Sequence, residues 1–218
     1  MGEAPSTARS CGEDCPVDSI SWCDSILFAN RLSKREGLEP VYRLPQNFTA
    51  RMDAQSCNLL AASVVANISS NGYRLPTEAE WEYTARDISA IIQENPRHKD
   101  SDVIESTERY SGSNQVQLVA WYSRNSEERI HAPCQKKANS MGVCDLTGNL
   151  FEWTSDWYEE DTSSFPNINP TGPSIGQSKS LRGGSYQSNP NVLRNAFRYN
   201  AEPGFRSEQI GLRLVRSN

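Results

Sequence analysis

The segment from Arg182 to Arg216, close to the C-terminus, carries the residue types of this chain that are best suited to binding a polar ligand. Two glycines follow its first arginine, and further arginines recur along it, whose planar guanidinium groups pair well with carboxylates. The inner arginines are Arg194, Arg198, Arg206 and Arg213. The segment contains no cysteine and no histidine, so thiolate or imidazole chemistry within it is excluded.

Other residues whose side chains could act in catalysis have no suitable catalytic partner close by in the sequence. Ser185 follows Arg-Gly-Gly, but a serine nucleophile needs a positioned base, and both histidines, His98 and His131, are distant in sequence. A tight glycine turn in which Ser185 bonds locally is therefore favoured. Glu152 and Asp156 offer a paired acid and base, but their spacing within an aromatic segment favours structural roles.

Asp145 is the residue with the best claim to a metal ion. It precedes a glycine turn whose backbone carbonyls could face a hard cation, and calcium takes 6–8 oxygen ligands. The alternative is an Asp-capped turn ahead of a buried strand that carries Phe151, Trp153 and Trp157 into the core. The residues by themselves favour the turn.

The composition limits the class of partner. The chain has 218 residues and a formal net charge of -5, with no polybasic cluster, so we expect no nucleic-acid partner. No apolar run approaches the roughly 20 residues of a membrane helix, so we expect no membrane-spanning segment. The organisation predicted is an N-terminal extension over residues 1–15 and a single domain over residues 16–218.

Six cysteines favour an oxidising compartment, so an extracytoplasmic or cell-surface location is expected, with the cytoplasm left open. The N-terminus lacks the apolar core of a signal peptide, which is either absent or already removed. Cys134 and Cys144 either close a short loop as a disulfide or remain buried thiols. For Cys11 and Cys15, a disulfide is preferred over half of a zinc site; Cys57 and Cys23 are candidate partners, and the connectivity stays open.

Two amphipathic helices must position these groups. The first helix is predicted to begin after Ser21 as N-cap and to end at Gly37, and the second, of about three turns, to begin after Thr77 and end near Arg86. Their inward residues are Trp22, Ile26 and Ala29 in the first helix and Trp81 and Ala85 in the second. The second half of the chain is rich in turn residues and predicts irregular loops over a few short strands.

Three stretches give the chain a family resemblance. Residues 73–86 (YRLPTEAEWEYTAR), residues 139–158 (NSMGVCDLTGNLFEWTSDWY), and LRGGSY at 181–186 with IGLRLVR at 210–216 together resemble the formylglycine-generating-enzyme domain, also called the sulfatase-modifying-factor domain. The resemblance runs in the family's order from about Pro16 to Arg216. It implies an α+β variant of the C-type lectin fold, loop-rich, with two main helices and small antiparallel sheets.

The resemblance implies a scaffold without the family's oxidase chemistry. Enzymes of the family oxidise a sulfatase cysteine with copper held by two cysteines that follow the GGS motif. The first of these positions is Ser188 here, and the second falls at Val192, Leu193 or a deletion. Because Cu(I) selects soft thiolates, we expect no copper and no catalytic residue by that mechanism.

Other positions carry over from the family one at a time. Ser185 matches the serine of the GGS motif, Arg198 matches a pocket arginine, and Phe151 matches a pocket aromatic residue. A calcium site of family members is matched by Asp145 and the carbonyls of Leu146, Gly148 and Leu150. With this resemblance, a structural calcium ion becomes an equal alternative to the simple turn.

The family also has a noncatalytic branch, the variable proteins of bacterial diversity-generating retroelements, which end in a similar segment. The leading hypothesis is therefore a noncatalytic ligand-binding domain, diversified or not, whose 185–209 surface binds a protein or polar ligand. The alternative is an enzyme of the family with an altered, non-copper mechanism. Candidate ligand-binding residues are Ser185, Tyr186, Ser188, Asn189, Asn191, Arg194, Arg198, Tyr199, Asn200 and Phe205, with Trp121 and Phe151 as walls. Two of Arg194, Arg198 and Arg206 are expected to be structural, braced by carboxylates such as Glu152 and Asp156.

Overall fold

A computed structural model describes residues 11–87, 108–166 and 168–217. Over these ranges the chain forms four α-helices, one 3₁₀ turn (Gly12–Asp14) and eight short strands, so the mixed α+β class predicted from the sequence is confirmed. Of these helices, the three longer ones fall in the first half of the chain, and the longest of these strands lies in the second half. Among the described residues, no helix combines the length and the apolar character that crossing a membrane requires.

The first helix, α1 (Trp22–Arg35), forms where the sequence predicts it. The Ser21 hydroxyl accepts the Asp24 amide, and the Asp24 carboxylate accepts the Ser21 amide, which satisfies two otherwise unpaired donors. One face is buried, and Gly37 leaves the helix with φ +70°, a conformation that favours glycine. The second helix, α2 (Ala54–Ala61), begins at the N-cap Asp53.

The helix α3 (Glu78–Ala85) carries the predicted capping box of Thr77 and Glu80, and its residues Trp81 and Ala85 are buried. It is eight residues long, about two turns rather than the three predicted, because Asp87 turns into the left-handed region at φ +57°. A short helix, α4 (Val116–Val119), follows later in the chain.

A four-stranded sheet in the order β6-β5-β4-β7 forms the centre of the fold. Its members are β4 (Phe151–Trp157), β5 (Lys179–Arg182), β6 (Tyr199–Ala201) and β7 (Ile210–Leu212). Two small antiparallel ladders lie outside it, β1 (Tyr42–Arg43) with β2 (Val65–Ala66) and β3 (Tyr73–Arg74) with β8 (Val215–Arg216). The β4–β7 pair is parallel, so the expectation of antiparallel sheets is correct for every other pair but wrong for this one.

The core lies between α1, α2 and the central sheet. Phe151, Trp153 and Trp157 of β4 are buried there, as predicted. The Trp153 indole donates to the Ile20 carbonyl at 3.1 Å, and the Trp22 indole donates to the Thr154 carbonyl at 3.0 Å. Because their polar edges are satisfied, these large rings can be buried without an unpaired donor.

Three disulfides join the six cysteines in pairs. Cys134 is bonded to Cys144, which selects the disulfide over the free thiols. Cys23 on α1 is bonded to Cys57 on α2, and both are fully buried. Cys11 and Cys15 flank the 3₁₀ turn and bond to each other, so the preference for a disulfide over a zinc site is correct, but the candidate partners Cys23 and Cys57 are wrong. The packing of α1 against α2 brings Cys23 and Cys57 together, so neither is left to pair with Cys11 or Cys15.

Candidate functional site

The C-terminal segment leaves β5 through a glycine turn that locks its first residues in place. Gly183 and Gly184 have φ angles of +91° and +75°, and a Cβ on Gly184 would come within 2.5 Å of Leu193. Ser185 donates to the Gln209 side chain at 2.7 Å, and its amide donates to the Ser188 hydroxyl at 2.9 Å. Ser185 therefore bonds locally, as the turn predicts, and is fully buried.

The two positions that correspond to copper ligands in the family's enzymes have structural roles here. Ser188 is buried and closes the turn with Ser185. For the second position, Val192 is half-buried against the main core, and Leu193 is almost fully buried and packs with aromatic and aliphatic residues of a second cluster. A hydroxyl tied into a turn and an aliphatic side chain in a core offer no soft ligand to Cu(I).

Buried and exposed residues are interspersed beyond the glycine turn. The side chains of Tyr186, Ser188, Leu193 and Asn195 are buried and fix the segment to the fold. The exposed residues, which we call the display surface, are Gln187, Asn189, Asn191, Ala196, Tyr199, Glu202, Phe205 and Glu208. This arrangement holds the backbone while leaving amide, aromatic and acidic side chains free to contact a ligand.

The predicted ligand-binding residues fall into two groups. Asn189, Asn191, Tyr199 and Phe205 are exposed, and Arg194 and Asn200 are half-buried. Ser185, Tyr186, Ser188 and Phe151 are buried. Phe151 nevertheless contacts this surface, because its ring lies 5.4 Å, centroid to centroid, from the exposed Tyr199 ring.

Trp121, predicted as a wall of the site, has both ring faces covered. The His131 ring stacks on it with centroids 3.7 Å apart, and the Lys136 ammonium stands 3.8 Å from the ring centroid. Since both groups lie so close over the same ring, they occupy opposite faces. Only the edge of the Trp121 ring is left for a ligand.

Arg198 and Arg206 brace the segment against carboxylates. The Arg198 guanidinium donates to both oxygens of Glu78, at 2.6 and 2.8 Å, and also to the Glu159 carbonyl at 2.7 Å. Arg206 donates to Asp24 at 2.9 Å and to the Met52 carbonyl at 3.0 Å. Two of the three arginines are thus structural as expected, but the bracing carboxylates are Glu78 and Asp24 rather than Glu152 and Asp156.

Glu78 also binds a second, fully buried arginine. Arg182 pairs with Glu78 at 3.1 Å and with Glu82 at 2.8 Å, and it donates to the Asn195 carbonyl at 2.6 Å. Burial opposes ionisation of Glu78, but the hydrogen bonds of Arg198 and the charge of Arg182 outweigh it and hold the pKa of Glu78 below its ordinary value. The carboxylate is ionised at neutral pH and joins the segment to α3.

Glu152 and Asp156 do not form an acid and base pair. Glu152 accepts from the Trp81 indole at 2.7 Å and from Arg213 at 2.7 Å, so both of its carboxylate oxygens have structural partners. Asp156 accepts the Glu78 amide at 2.8 Å, and burial raises the pKa of Asp156 to about 6. Each carboxylate satisfies a different part of the core.

Asp145 lies in a cleft of about 400 Å³ beside the Cys134–Cys144 disulfide. One carboxylate oxygen accepts the Cys134 amide at 2.6 Å, and burial raises the pKa of Asp145. The two sulfurs lie near this carboxylate, but as a disulfide they supply no thiolate. Of the residues whose carbonyls complete the expected calcium site, Leu150 also lines this cleft, and a cation there would offset the desolvation of Asp145.

This fold, with its glycine turn and braced C-terminal segment, defines the lectin-like class of the formylglycine-generating-enzyme domain. The chain belongs to the family described as the sulfatase-modifying factor enzyme 1-like domain, whose model matches residues 2–218. The formylglycine-generating enzyme of Streptomyces coelicolor is 34% identical over 156 residues, which cover 66% of this chain and 46% of that enzyme. The chain thus spans about half the length of such enzymes.

Other relatives match nearly the whole chain. The chaperone protein LppX of Paenibacillus barcinonensis is 29% identical over 234 residues, covering 100% of this chain and 74% of that protein. The solved structure of Treponema denticola variable protein 1 is similar with a TM-score of 0.80 and 31% identity, covering 98% of this chain and 77% of the other. The structure of CarF is similar with a TM-score of 0.72 and 27% identity, covering 95% and 70% of the two chains.

Proposed function

We propose that this chain is a noncatalytic ligand-binding domain whose display surface contacts a protein or another polar ligand. The observation that carries the proposal is the division of residues 185–209 into buried anchors and exposed contact residues. Rigid backbone with exposed aromatic and amide side chains is the arrangement that paratope-like surfaces use. Because the anchors carry the fold, the exposed positions can change without unfolding the domain.

The relatives support this proposal in two ways. Variable protein 1 shares the fold along almost all of this chain, and its name describes a protein that varies. LppX is described as a chaperone, which favours a protein as the partner. The proposal extends to diversification of the display surface, since its exposed positions are those that tolerate change.

The same proposal places the chain outside the cytoplasm. All six cysteines are in disulfides, and such bonds persist in oxidising compartments. The fully buried Cys23–Cys57 bond links two helices of the core, so an oxidising compartment would preserve a stabilising contact of the fold. An extracytoplasmic or cell-surface location is therefore proposed.

The function is tested by selecting binders from a displayed random peptide library and measuring their affinity for variants. The double variant Tyr199→Ala/Phe205→Ala should lose about tenfold or more in affinity, because buried aromatic contacts dominate binding energy. The control is Tyr83→Ala/Met141→Ala, since these side chains are 42% exposed and the two test residues 48%. It should bind the peptides as the wild type does, and both variants are checked for folding by thermal unfolding.

The outcomes decide between the two classes of function. If no peptide binds, or if the display-surface variant binds as well as the control, the surface is not the ligand site. Formation of an aldehyde on a cysteine-containing sulfatase peptide, with or without Cu(I), would instead establish the alternative, an enzyme of the family with an altered mechanism.

A structural calcium ion at Asp145 belongs to the same proposal. Millimolar calcium should raise the unfolding free energy by about 1 kcal/mol, as expected for a weak site of an extracellular module. Asp145→Asn should abolish this gain because the amide still accepts the Cys134 amide but carries no charge. Asp161→Asn, at an exposed carboxylate, is the control and should keep the gain. Equal stabilisation of both variants by calcium would contradict the site.

A further inference from the structure

Two arginines from different parts of the chain converge on Asn191 of the display surface. Arg109 donates from Nη2 to the Asn191 side-chain oxygen at 2.9 Å, and Arg194 donates from Nε to the Asn191 carbonyl at 2.9 Å. Arg109 is exposed and Arg194 half-buried. Each contact uses one donor of a guanidinium that has five, so most of the donors remain available.

The backbone that carries Arg109 is held in place before any ligand arrives. The Arg109 backbone is fixed at both ends, since its amide donates to Asn114 at 2.7 Å and its carbonyl accepts the Asn195 amide at 2.9 Å. The neighbouring Tyr110 hydroxyl donates to the Pro190 carbonyl at 3.1 Å, which ties this segment to the display surface. A site that is ordered in advance loses less side-chain entropy when it binds.

The two arginines at Asn191 form no ion pair within the described residues. Arg198, Arg206 and Arg213 each pair with a carboxylate, whereas neither Arg109 nor Arg194 has a carboxylate partner in the described ranges. Two positive groups on one residue repel each other, and an anion between them would relieve that repulsion.

A third arginine, Arg124, is exposed and adjoins a residue that contacts the C-terminal segment. Arg124 follows Ser123, whose amide donates to the Ser188 carbonyl at 3.1 Å, so this segment borders the start of the display surface. The exposed amides of Gln187 and Asn189 are close by in the chain. Guanidinium groups beside amide side chains offer donors for carboxylates together with donors and acceptors for a peptide backbone.

We propose that the part of the display surface around Asn191 takes an acidic peptide segment, whose Asp or Glu carboxylates bind between Arg109 and Arg194. This inference rests on the proposed ligand-binding function and names its ligand class. A polyanion such as a nucleic acid is disfavoured, because the chain as a whole carries a formal net charge of -5 and would repel a dense line of phosphates. Isolated carboxylates need only the local pair of guanidinium groups.

The test uses the peptides selected from the random library against the whole chain. They should be enriched in Asp and Glu over the unselected library, and Arg109→Gln/Arg194→Gln should weaken their binding by about tenfold. Binding should also weaken as salt is raised, since the arginines are partly exposed. Arg31→Gln/Arg43→Gln removes the same charge from two exposed arginines elsewhere and should change affinity less than about twofold.

The results separate this inference from the function on which it rests. In one contrary result, the selected peptides require Tyr199 and Phe205 but show no enrichment in acidic residues; in another, they bind both arginine variants equally. Either result leaves the ligand-binding function intact but overturns the acidic ligand. Selective capture of single-stranded DNA in preference to acidic peptides also overturns it. A selection that yields no binder at all overturns both.

Discussion

Replacing Glu78 with glutamine should lower the free energy of unfolding by about 3–5 kcal/mol at neutral pH, the usual effect of breaking a buried ion pair. Glu78, the first residue of α3, pairs with two arginines. Arg182 is fully buried, and Arg198 belongs to the C-terminal segment that carries the display surface. A neutral amide can accept only part of their hydrogen bonds. Two guanidinium groups would then face each other with one charge uncompensated.

The pH dependence follows from the direction of the pKa shift. The pKa of Glu78 lies below its ordinary value, 4.5, so the unfolded chain takes up this proton more readily than the folded one. Its contribution to stability is complete above the unfolded pKa and is lost as the pH falls through the folded pKa. Urea unfolding of the wild type should therefore lose this contribution below about pH 4.5, and the glutamine variant should lack it.

The matched control is Glu127→Gln. Glu127 pairs with Arg129 at 2.8 Å, but both side chains are exposed, so this variant should cost about 1 kcal/mol or less. If both variants had the same small effect, the buried network would not brace the segment. Arg198 would then be available to a ligand, as the family resemblance alone implies.

Local features of the fold were predictable from the sequence because their causes are local. Ser21 with Asp24, and Thr77 with Glu80, lie three residues apart and satisfy each other's backbone donors, so both helix starts are correct. The glycines after Arg182 predicted a turn for the same reason, since the backbone there needs positive φ. Burial of the aromatic residues in β4 was expected from their apolar rings, and most of the polar residues between them are buried as well.

Tertiary partners were not predictable in this way. Glu78 lies 104 residues from Arg182 and 120 from Arg198, and nothing in the spacing distinguishes it from Glu152 or Asp156 as the bracing carboxylate. Arg109 lies 82 residues from Asn191 and stands in no motif, so its place at the site was missed. The parallel pairing of β4 with β7 depends on the path of the chain between them, which has no local signal.

The disulfide between Cys23 and Cys57 is also a long-range contact, and it supports the backbone of the display surface. It joins α1 to α2, and each helix holds the distal end of the C-terminal segment. Asp24 on α1 pairs with Arg206 at 2.8 Å, and Asn58 on α2 accepts the Gly204 amide at 2.7 Å. The two anchors follow directly after the two cysteines in sequence.

Removing this bond as Cys23→Ala/Cys57→Ala should therefore lower the free energy of unfolding by about 4 kcal/mol, because a crosslink across a separation of 34 residues strongly restricts the unfolded chain. The separations in the other two disulfides are 10 and 4 residues, so the matched double-alanine variants should lose about 3 and 2 kcal/mol. Urea unfolding of the three variants measures this order.

The affinity for the selected peptides is a second measurement. The entropy of the unfolded chain does not affect it. Under conditions where each variant is still folded, the Cys23→Ala/Cys57→Ala protein should bind the selected peptides more weakly than the Cys11→Ala/Cys15→Ala protein, since Gly204 and Arg206 are anchored on the helices that the bond joins. If the two variants bound the peptides with equal affinity, the Cys23–Cys57 disulfide would contribute to stability but not to ligand binding. A reversed order of unfolding free energies would show that native packing, rather than loop length, sets the contribution of each disulfide.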